Sequence, residues 1–177
     1  VSNPPVAPLT NGNKRNINGA VYIIHGGNLA AAVDPAADAD AIITRNSGAD
    51  IFQAYGLALG DFNNDGKKDL ALGAPGEDHT SPSLSQTGHV YVIMGGTTLT
   101  GNVDIDAASS VIITGGMVND QVGSTLAAGD INGDSIDDLV IGAPLSGWGQ
   151  SGTTGKGKVQ VVYGASSLNG NLDLFDD

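Results

Sequence analysis

The feature that most constrains this chain is an internal repeat with a period of 69 residues. Two aspartate-rich loops lie one period apart, DFNNDGKKD at 61–69 and DINGDSIDD at 130–138. A glycine-led apolar run recurs at the same spacing in three copies, GAVYIIHGG from Gly19, GHVYVIMGG from Gly88 and GKVQVVYGA from Gly157. A repeat of this length is one supersecondary unit copied along the chain, because each copy buries its apolar face against its neighbours.

Each repeat unit contains four short segments with the composition of β-strands. They are rich in Val, Ile, Leu and Ala, and turn residues separate them. The predicted first strands are 57–60 and 124–129, and the second strands are 70–73 and 139–142. The third strands are 21–24, 90–93 and 159–162, and the fourth strands are 41–44 and 111–114. Four short strands per unit is the organisation of a propeller blade. We therefore predict an all-β fold built from β-propeller-type blades of four antiparallel strands.

The repeat also predicts how the chain divides. We predict a single repeat region over 1–177, with a partial blade at 1–50, a full repeat at about 51–119, and a second repeat at about 120–177 that is incomplete at its C-terminal end. This amounts to about two and a half units, whereas a propeller closes with about four to eight blades. We therefore expect the open flanks to associate with other copies of the chain or with other blades of a longer chain.

Two further local features follow from the repeat. Val6–Pro8 stands where Gly-Ala-Pro stands in the later units. Single helical turns are expected within 29–41 and 105–110, which share one position in the repeat, between the third and fourth strands. Helix is not expected elsewhere.

Charge and composition exclude several classes of protein. The formal net charge is −12, with 19 acidic and seven basic residues, and this argues against a nucleic-acid partner because phosphate binding needs a basic face. The absence of cysteine excludes disulfides and thiolate metal sites. No segment approaches the roughly 20 apolar residues of a membrane span, and no signal peptide is visible. Six of the 19 acidic residues occupy regular positions in the two loops, so part of the charge is dedicated to them.

In both acidic loops, oxygen-bearing side chains recur at positions one, three, five and nine. Alternate residues of a tight loop point toward one centre, and Ca²⁺ takes about six to eight oxygen ligands. Position seven would contribute its backbone carbonyl, and Gly66 at position six fits a sharp turn. We predict two Ca²⁺ sites with the ligands Asp61, Asn63, Asp65, Lys67 and Asp69 in the first loop and Asp130, Asn132, Asp134, Ile136 and Asp138 in the second.

Other interpretations of these loops are weaker. The helix-flanked calcium loop needs a bidentate Glu at position twelve, where this chain has Leu72 and Ile141. A solvated turn is a second interpretation, since Asp and Asn are ordinary turn formers, but two such loops at the same point of a repeat favour calcium. The three histidines, His25, His79 and His89, lie at different positions in the repeat, so no histidine metal site is predicted.

These motifs resemble the FG-GAP repeats of integrin α-subunit propellers and of their bacterial relatives. The resemblance is carried by the two acidic loops, by Gly-Ala-Pro at 73–75 and 142–144, and by the apolar strands that follow. It departs at the Phe-Gly element, where one unit has Val122-Gly123 and the other has Gln53-Ala54 after Phe52, and at Ser135, which replaces a glycine. The resemblance implies calcium-binding hairpins in a propeller, with roles in adhesion and extracellular recognition.

The predicted function is therefore that of a calcium-binding FG-GAP repeat protein, extracellular or at the cell surface, with a structural or adhesive role. We expect no catalysis, assembly through the open blade flanks, and a protein or glycan as the ligand. Two alternatives stay open. The chain could be a non-catalytic accessory propeller domain of a larger secreted enzyme, or it could be a subunit of a surface fibre or sheath.

Overall fold

The computed structural model of this chain describes residues 19–26, 33–46, 52–80, 83–147 and 155–174. Val6–Pro8 lies outside these ranges. These described residues contain two short helices, α1 (Pro35–Asp38) and α2 (Ile105–Ala108). The strands of the described residues are β1 (Val21–Ile23), β2 (Ala41–Thr44), β3 (Gly56–Gly60), β4 (Asp69–Ala74), β5 (His79–Thr80), β6 (Ser83–Leu84), β7 (His89–Ile93), β8 (Gly101–Asp104), β9 (Val111–Gly115), β10 (Thr125–Gly129), β11 (Asp138–Ala143), β12 (Lys158–Val162) and β13 (Gly170–Leu174).

A central sheet carries the fold. Its strands β3, β4, β7 and β9 lie side by side in chain order, and each neighbouring pair is antiparallel. One period later β10, β11 and β12 form a second antiparallel sheet, which we call the C-terminal sheet. The antiparallel pair β1 and β2 begins a third, the N-terminal sheet. The predicted all-β fold of propeller-like blades is confirmed.

The sheets also contain parallel strands that the sequence did not predict. β13 lies parallel to β9, with Gly170 opposite Val111, and makes the central sheet five-stranded. β8 lies parallel to β2 in the same way, with Gly101 opposite Ala41. β13 follows β12, the third strand of the unit after the one that contains β9. β8 follows β7, the third strand of the unit after the one that contains β2. Backbone hydrogen bonds therefore join the outermost strand of one unit to the unit after it.

The two predicted helical turns are present at the expected place in the repeat. An aspartate caps each of them: the Asp34 side chain accepts from the Ala36 N–H at 3.0 Å, and the Asp104 side chain accepts from the Asp106 N–H at 3.3 Å. Neither turn is long or apolar enough to cross a bilayer, and no other helix in the described part of the chain could do so.

The central sheet is buried on both faces at β4, β7 and β9, and on one face at β3. Alternate side chains of a strand point to opposite faces, so β7 sends Val90 and Val92 one way and Tyr91 and Ile93 the other. The first pair packs against the C-terminal sheet, in a cluster with Ala58, Phe62, Ala71, Leu139, Ile141 and Ala143. The second pair packs against the N-terminal sheet, in a cluster with Ile43, Phe52, Leu72, Ala74 and Ile105.

Glycine lets two units approach closely beside the first of these clusters. A Cβ atom at Gly73 would lie 2.0 Å from the carbonyl oxygen of Gly123. Gly123 has a φ of +87°, in the left-handed region that glycine adopts without strain. The glycine of Gly-Ala-Pro in one unit therefore touches the glycine of the Phe-Gly element in the next. This contact gives a physical reason for both glycines.

Apolar side chains are exposed on the two flanks of this packing. Leu57 and Leu59 of β3 are 57% and 58% exposed, and they line a groove of about 380 Å³ with Tyr22 of β1. On the other flank, Val159 of β12 is 71% exposed and Tyr163 is 59% exposed. That other copies or other blades cover these flanks stays a prediction.

We expect Gly73→Ala to lower the free energy of unfolding by about 1–3 kcal/mol, because the added methyl group would overlap the Gly123 carbonyl. Gly76→Ala is the matched control, since a Cβ at Gly76 meets nothing within 4 Å. Urea denaturation of both variants measures the difference. Equal stability of the two variants would show that the sheets separate at this point without cost.

Candidate metal-binding loops

The two acidic loops connect the first and second strands of consecutive units. The loop at 61–69 joins β3 to β4, and the loop at 130–138 joins β10 to β11. Because the central and C-terminal sheets pack face to face, the loops lie side by side at the same end of the sheets. All ten predicted ligand positions are among the described residues.

The side chains at positions one, three and five of the first loop turn inward to the loop backbone. Asp61 accepts the N–H groups of Asp65 at 3.0 Å and Gly66 at 2.9 Å, one on each carboxylate oxygen. Asn63 Oδ1 also accepts the Asp65 N–H at 3.1 Å, and Asp65 Oδ1 accepts the Lys67 N–H at 2.9 Å. Three predicted ligand side chains are therefore held within one loop.

The second loop repeats these four hydrogen bonds one period later. Asp130 accepts from Asp134 at 3.1 Å through Oδ1 and from Ser135 at 2.9 Å through Oδ2. Asn132 Oδ1 accepts the Asp134 N–H at 2.9 Å, and Asp134 Oδ1 accepts the Ile136 N–H at 2.8 Å. The repeat therefore preserves the hydrogen bonding of the loop as well as its sequence.

The aspartate at position nine has different surroundings. Asp69 is fully buried, and its two oxygens accept the N–H of Phe62 at 2.8 Å and the N–H of Gly95 at 2.7 Å. Phe62 lies at position two of the loop, and Gly95 lies just after β7. The carboxylate thus ties the loop to the end of the third strand.

Asp138 makes the equivalent bonds in the next unit. Its oxygens accept the N–H of Ile131 at 2.9 Å and of Gly164 at 2.9 Å, with a longer bond of 3.3 Å from Asn132. Burial raises the pKa of Asp138, but the N–H groups of Gly164, Ile131 and Asn132 lower it by more, so the pKa lies below its ordinary value. The carboxylate is therefore ionised at neutral pH.

Position six adopts a left-handed backbone conformation in both loops. Gly66 has a φ of +82° and Ser135 has a φ of 72°. Glycine takes this conformation freely, whereas for a residue with a side chain it costs on the order of 1 kcal/mol. The second loop therefore carries strain that the first does not.

The donor set fits a hard cation. Each loop offers three carboxylates, one amide oxygen and one peptide carbonyl, which are the ligands that Ca²⁺ takes. A carboxylate oxygen that accepts one N–H keeps a second lone pair for a cation. Across the described ranges, no three His, Cys, Asp or Glu side chains already converge as a preformed metal centre. The loops would therefore have to draw in around a bound ion.

The two loops touch each other through Asp137, at position eight of the second. Asp137 Oδ2 accepts the Asp61 N–H at 2.8 Å, and the Asp137 N–H donates to the Asp61 carbonyl at 3.1 Å. Lys68, at position eight of the first loop, donates to Asp137 Oδ2 at 2.7 Å. This hydrogen bond from Lys68 holds the pKa of Asp137 below its ordinary value, and it raises the pKa of Lys68.

A buried polar cluster lies between the N-terminal and central sheets. Its centre is Glu77, the only glutamate of the sequence, which is fully buried after Gly-Ala-Pro. Glu77 Oε2 accepts the Tyr91 hydroxyl at 2.5 Å and lies 3.2 Å from Arg45 Nη1 and 3.3 Å from His89 Nδ1. Arg45, which follows β2, also pairs with Asp106 at 3.0 Å. The cluster thus joins the two sheets through charge.

The protonation states in this cluster follow from burial. Burial lowers the pKa of His89, and the Arg45 guanidinium lowers it further, to about 4, so the ring is neutral at pH 7. Burial raises the pKa of Tyr91, and the Glu77 carboxylate raises it too, so the hydroxyl stays protonated and donates. Burial lowers the pKa of Arg45, but Glu77, Tyr91 and Asp106 together raise it by more, so the guanidinium is charged.

The sequence did not predict this cluster. A cavity of about 300 Å³ beside it is lined by both His79 and His89, which the repeat had placed at different positions. Folding brings them together because His79 begins β5, after the second strand of the unit, and His89 begins the third strand. The signal that could have found the cluster is Glu77, a lone glutamate in a chain whose other acidic residues are aspartates.

Comparison with known proteins agrees with the repeat. A model of the FG-GAP repeat matches residues 54–93 and 122–162. These two segments run from the first strand of a unit to the third and include the acidic loop.

The similar proteins are of two kinds. The chain is 41% identical over 109 residues to phosphatidylinositol-glycan-specific phospholipase D of Mus musculus, which covers 62% of this chain and 12% of the phospholipase. It is 36% identical over 161 residues to the Bos taurus protein of that name, covering 88% of this chain and 18% of the relative. It is 32% identical over 118 residues to integrin alpha-IIb of Homo sapiens, covering 63% and 10%. The chain thus spans less than a fifth of the length of these relatives.

We expect Arg45→Met to lower the free energy of unfolding by about 3–5 kcal/mol, because it leaves the buried Glu77 carboxylate without its guanidinium. The double variant Arg45→Met/Glu77→Gln should recover part of this loss, since neither charge then stays buried. A double-mutant cycle by urea denaturation at pH 7 measures the coupling between the two residues. Additive effects in that cycle would mean that the pair does not hold the sheets together.

Proposed function

Because the chain belongs to the FG-GAP repeat family, we propose that each of its two acidic loops binds one Ca²⁺ and that the protein has a structural or adhesive role outside the cell. The observation that carries this proposal is the pair of loops 69 residues apart. Both hold Asp, Asn and Asp at positions one, three and five by the same four backbone hydrogen bonds. A solvated turn in one unit would have no reason to recur bond for bond in the next.

The ligands follow from the positions of the side chains. In the first loop Asp61, Asn63 and Asp65 lie in the exposed part of the loop, with the Lys67 carbonyl between them and the buried Asp69. Bound Ca²⁺ would cancel the charge of carboxylates that repel one another at short range. It would also link both strands of the hairpin through one ion. The expected effect of calcium is therefore on the rigidity of each unit.

A role outside the cell is supported by the family and by the relatives. The FG-GAP repeat is a non-catalytic propeller repeat, and the integrin α chains and phospholipases similar to this chain are extracellular or secreted proteins. Millimolar calcium in such surroundings matches the weak end of the affinities that oxygen-ligand sites reach. The ligand that we propose for an adhesive role is a protein or a glycan.

A second candidate function is favoured by the phospholipases, which have the higher sequence identities to this chain. The four similar phospholipases match at 35–41%, against 32% for the human integrin chain. The chain would then be an accessory propeller domain beside a catalytic domain of a secreted enzyme. In that case calcium would still bind to the isolated chain, so the metal sites do not discriminate between the candidates. A hydrolase domain encoded in the same polypeptide would favour the second.

Isothermal titration calorimetry of the wild-type chain should detect two Ca²⁺ sites with Kd values between about 10⁻⁵ and 10⁻³ M, the range of weak sensor and extracellular sites. Asp65→Asn should remove the first site and Asp134→Asn the second, whereas Asp173→Asn on β13 should leave both. The melting temperature should rise with calcium concentration, because the ion binds the folded state. One site or none in the wild type, or equal affinity for Mg²⁺, would contradict the proposal.

Ser135→Gly should tighten the second site, because glycine holds the left-handed turn at 72° without strain. The strain relieved is on the order of 1 kcal/mol: the part carried only by the loaded loop raises the affinity, by at most about fivefold, and the part already present without calcium raises the melting temperature of the calcium-free chain. Gly66→Ser is the matched converse and should weaken the first site. Titrations of both variants against the wild type check the pair. Weaker binding by Ser135→Gly would show that the loaded loop uses a different turn.

A further inference from the structure

The contact between the two acidic loops joins the position-eight residues Lys68 and Asp137, which are not predicted ligands, to the backbone of Asp61. The Asp137 carboxylate accepts the Asp61 N–H at 2.8 Å, and the Asp137 N–H donates to the Asp61 carbonyl at 3.1 Å. Lys68 donates to the same carboxylate oxygen of Asp137 at 2.7 Å. Position eight thus carries opposite charges in the two loops, and the charges meet. The contact fixes one loop against the other.

The residues on either side of this contact are predicted ligands. Asp61 is position one of the first loop. Asp137 lies between Ile136, whose carbonyl is the position-seven ligand, and Asp138 at position nine. An ion that fixes positions seven and nine of the second loop therefore fixes the peptide of Asp137, and with it the backbone of Asp61.

A second connection runs beside the first. The Gly164 N–H donates to the Asp138 carboxylate at 2.9 Å, and the N–H of the next residue, Ala165, donates to the Phe62 carbonyl at 2.9 Å. Phe62 follows Asp61 in the first loop. The N–H groups of two adjacent residues therefore bind both loops, one at position nine of the second loop and the other at position two of the first. The segment also packs closely against the second loop, since a Cβ at Gly164 would lie 2.3 Å from the Asp137 carbonyl oxygen.

We propose that Asp137 and Lys68 are positioning residues that couple the two loops, so that Ca²⁺ in one loop raises the affinity of the other. This inference rests on the proposed function. Ordering a loop costs conformational entropy, and the first ion to bind orders backbone that the second site also uses. The second ion therefore binds a loop that is already partly ordered.

Repulsion between the two ions acts in the opposite direction. In 0.15 M salt the Debye length is about 8 Å, so exposed charges are screened beyond that distance. The hydrogen bonds of Asp137 with the Asp61 backbone depend much less on salt, whereas the exposed ion pair of Lys68 with Asp137 is weakened by it. Coupling through the contact should therefore survive an increase in salt, and it should become more positive as the repulsion between the ions is screened.

The experiment compares calcium affinities by calorimetry in a set of variants. Asp134→Asn leaves the first site alone, and Asp65→Asn leaves the second site alone. The coupling factor is the product of the two stepwise association constants of the wild type divided by the product of these two single-site constants. We expect a factor of about ten, which is within the usual range for coupled sites. In the Asp137→Ala background, which keeps the backbone hydrogen bond to Asp61 and the connection through Gly164 and Ala165, the same comparison should give a factor well below the wild-type value.

Two milder variants keep the test decisive if Asp137→Ala disturbs folding. Asp137→Asn keeps the shape of the side chain but loses its charge, and Lys68→Met removes the cation while leaving the Asp61 hydrogen bonds in place. Each should give a factor between one and the wild-type value. Two independent wild-type sites, or the same coupling in all the position-eight variants, would overturn this inference and leave the proposed function standing. No calcium binding in any variant would overturn both.

Discussion

A buried carboxylate at position nine of each acidic loop is the interaction on which the repeat unit depends. Leaving an ionised carboxylate in the interior without hydrogen bonds is very costly. Asp69 and Asp138 avoid this cost because backbone N–H groups from two separate segments bind each of them. One segment is the start of the loop, and the other is the turn after the third strand. The same side chain therefore closes the hairpin and fixes the third strand beside it.

This arrangement divides the acidic loop into two parts. The buried part belongs to the fold, because its carboxylate is held by the protein's own N–H groups. In the exposed part, the side chains of Asp61, Asn63 and Asp65 accept hydrogen bonds from the loop's own backbone. A cation at the exposed part would therefore add to a hairpin that is already formed. This is the physical sense in which calcium in the proposed function acts on rigidity.

The units are alike in sequence, but the contacts between them differ. The central sheet meets the C-terminal sheet through apolar side chains and the close approach of Gly73 to Gly123. It meets the N-terminal sheet through a second apolar cluster and through the ion pair of Arg45 with Glu77. Residues that break the repeat, such as Glu77, thus make each interface specific. The parallel strands β8 and β13 add backbone bonds that depend on no particular side chain.

The repeat units, their strands and their acidic loops could be predicted from the sequence alone. A 69-residue period with alternating apolar runs and Gly-Ala-Pro stops predicts a blade, because the hydrogen-bonding and packing demands of a short strand are local. The inward side chains at positions one, three and five could be predicted for the same reason, as could the left-handed Ser135, which stands where the first loop has Gly66. These features depend on residues close together in the chain.

Contacts between residues that are distant in the sequence depend on how the sheets pack. Asp137 binds Asp61 across 76 positions, and Arg45 reaches Asp106 across 61. No period in the sequence relates such pairs, because they meet only when two sheets pack face to face. The parallel strand β13 also depends on packing. Its sequence resembles that of other edge strands, and only its place beside β9 makes it the fifth strand of the central sheet. The local sequence pattern determines the fold of one repeat unit, whereas the packing of one unit on the next determines which charged side chains contact each other.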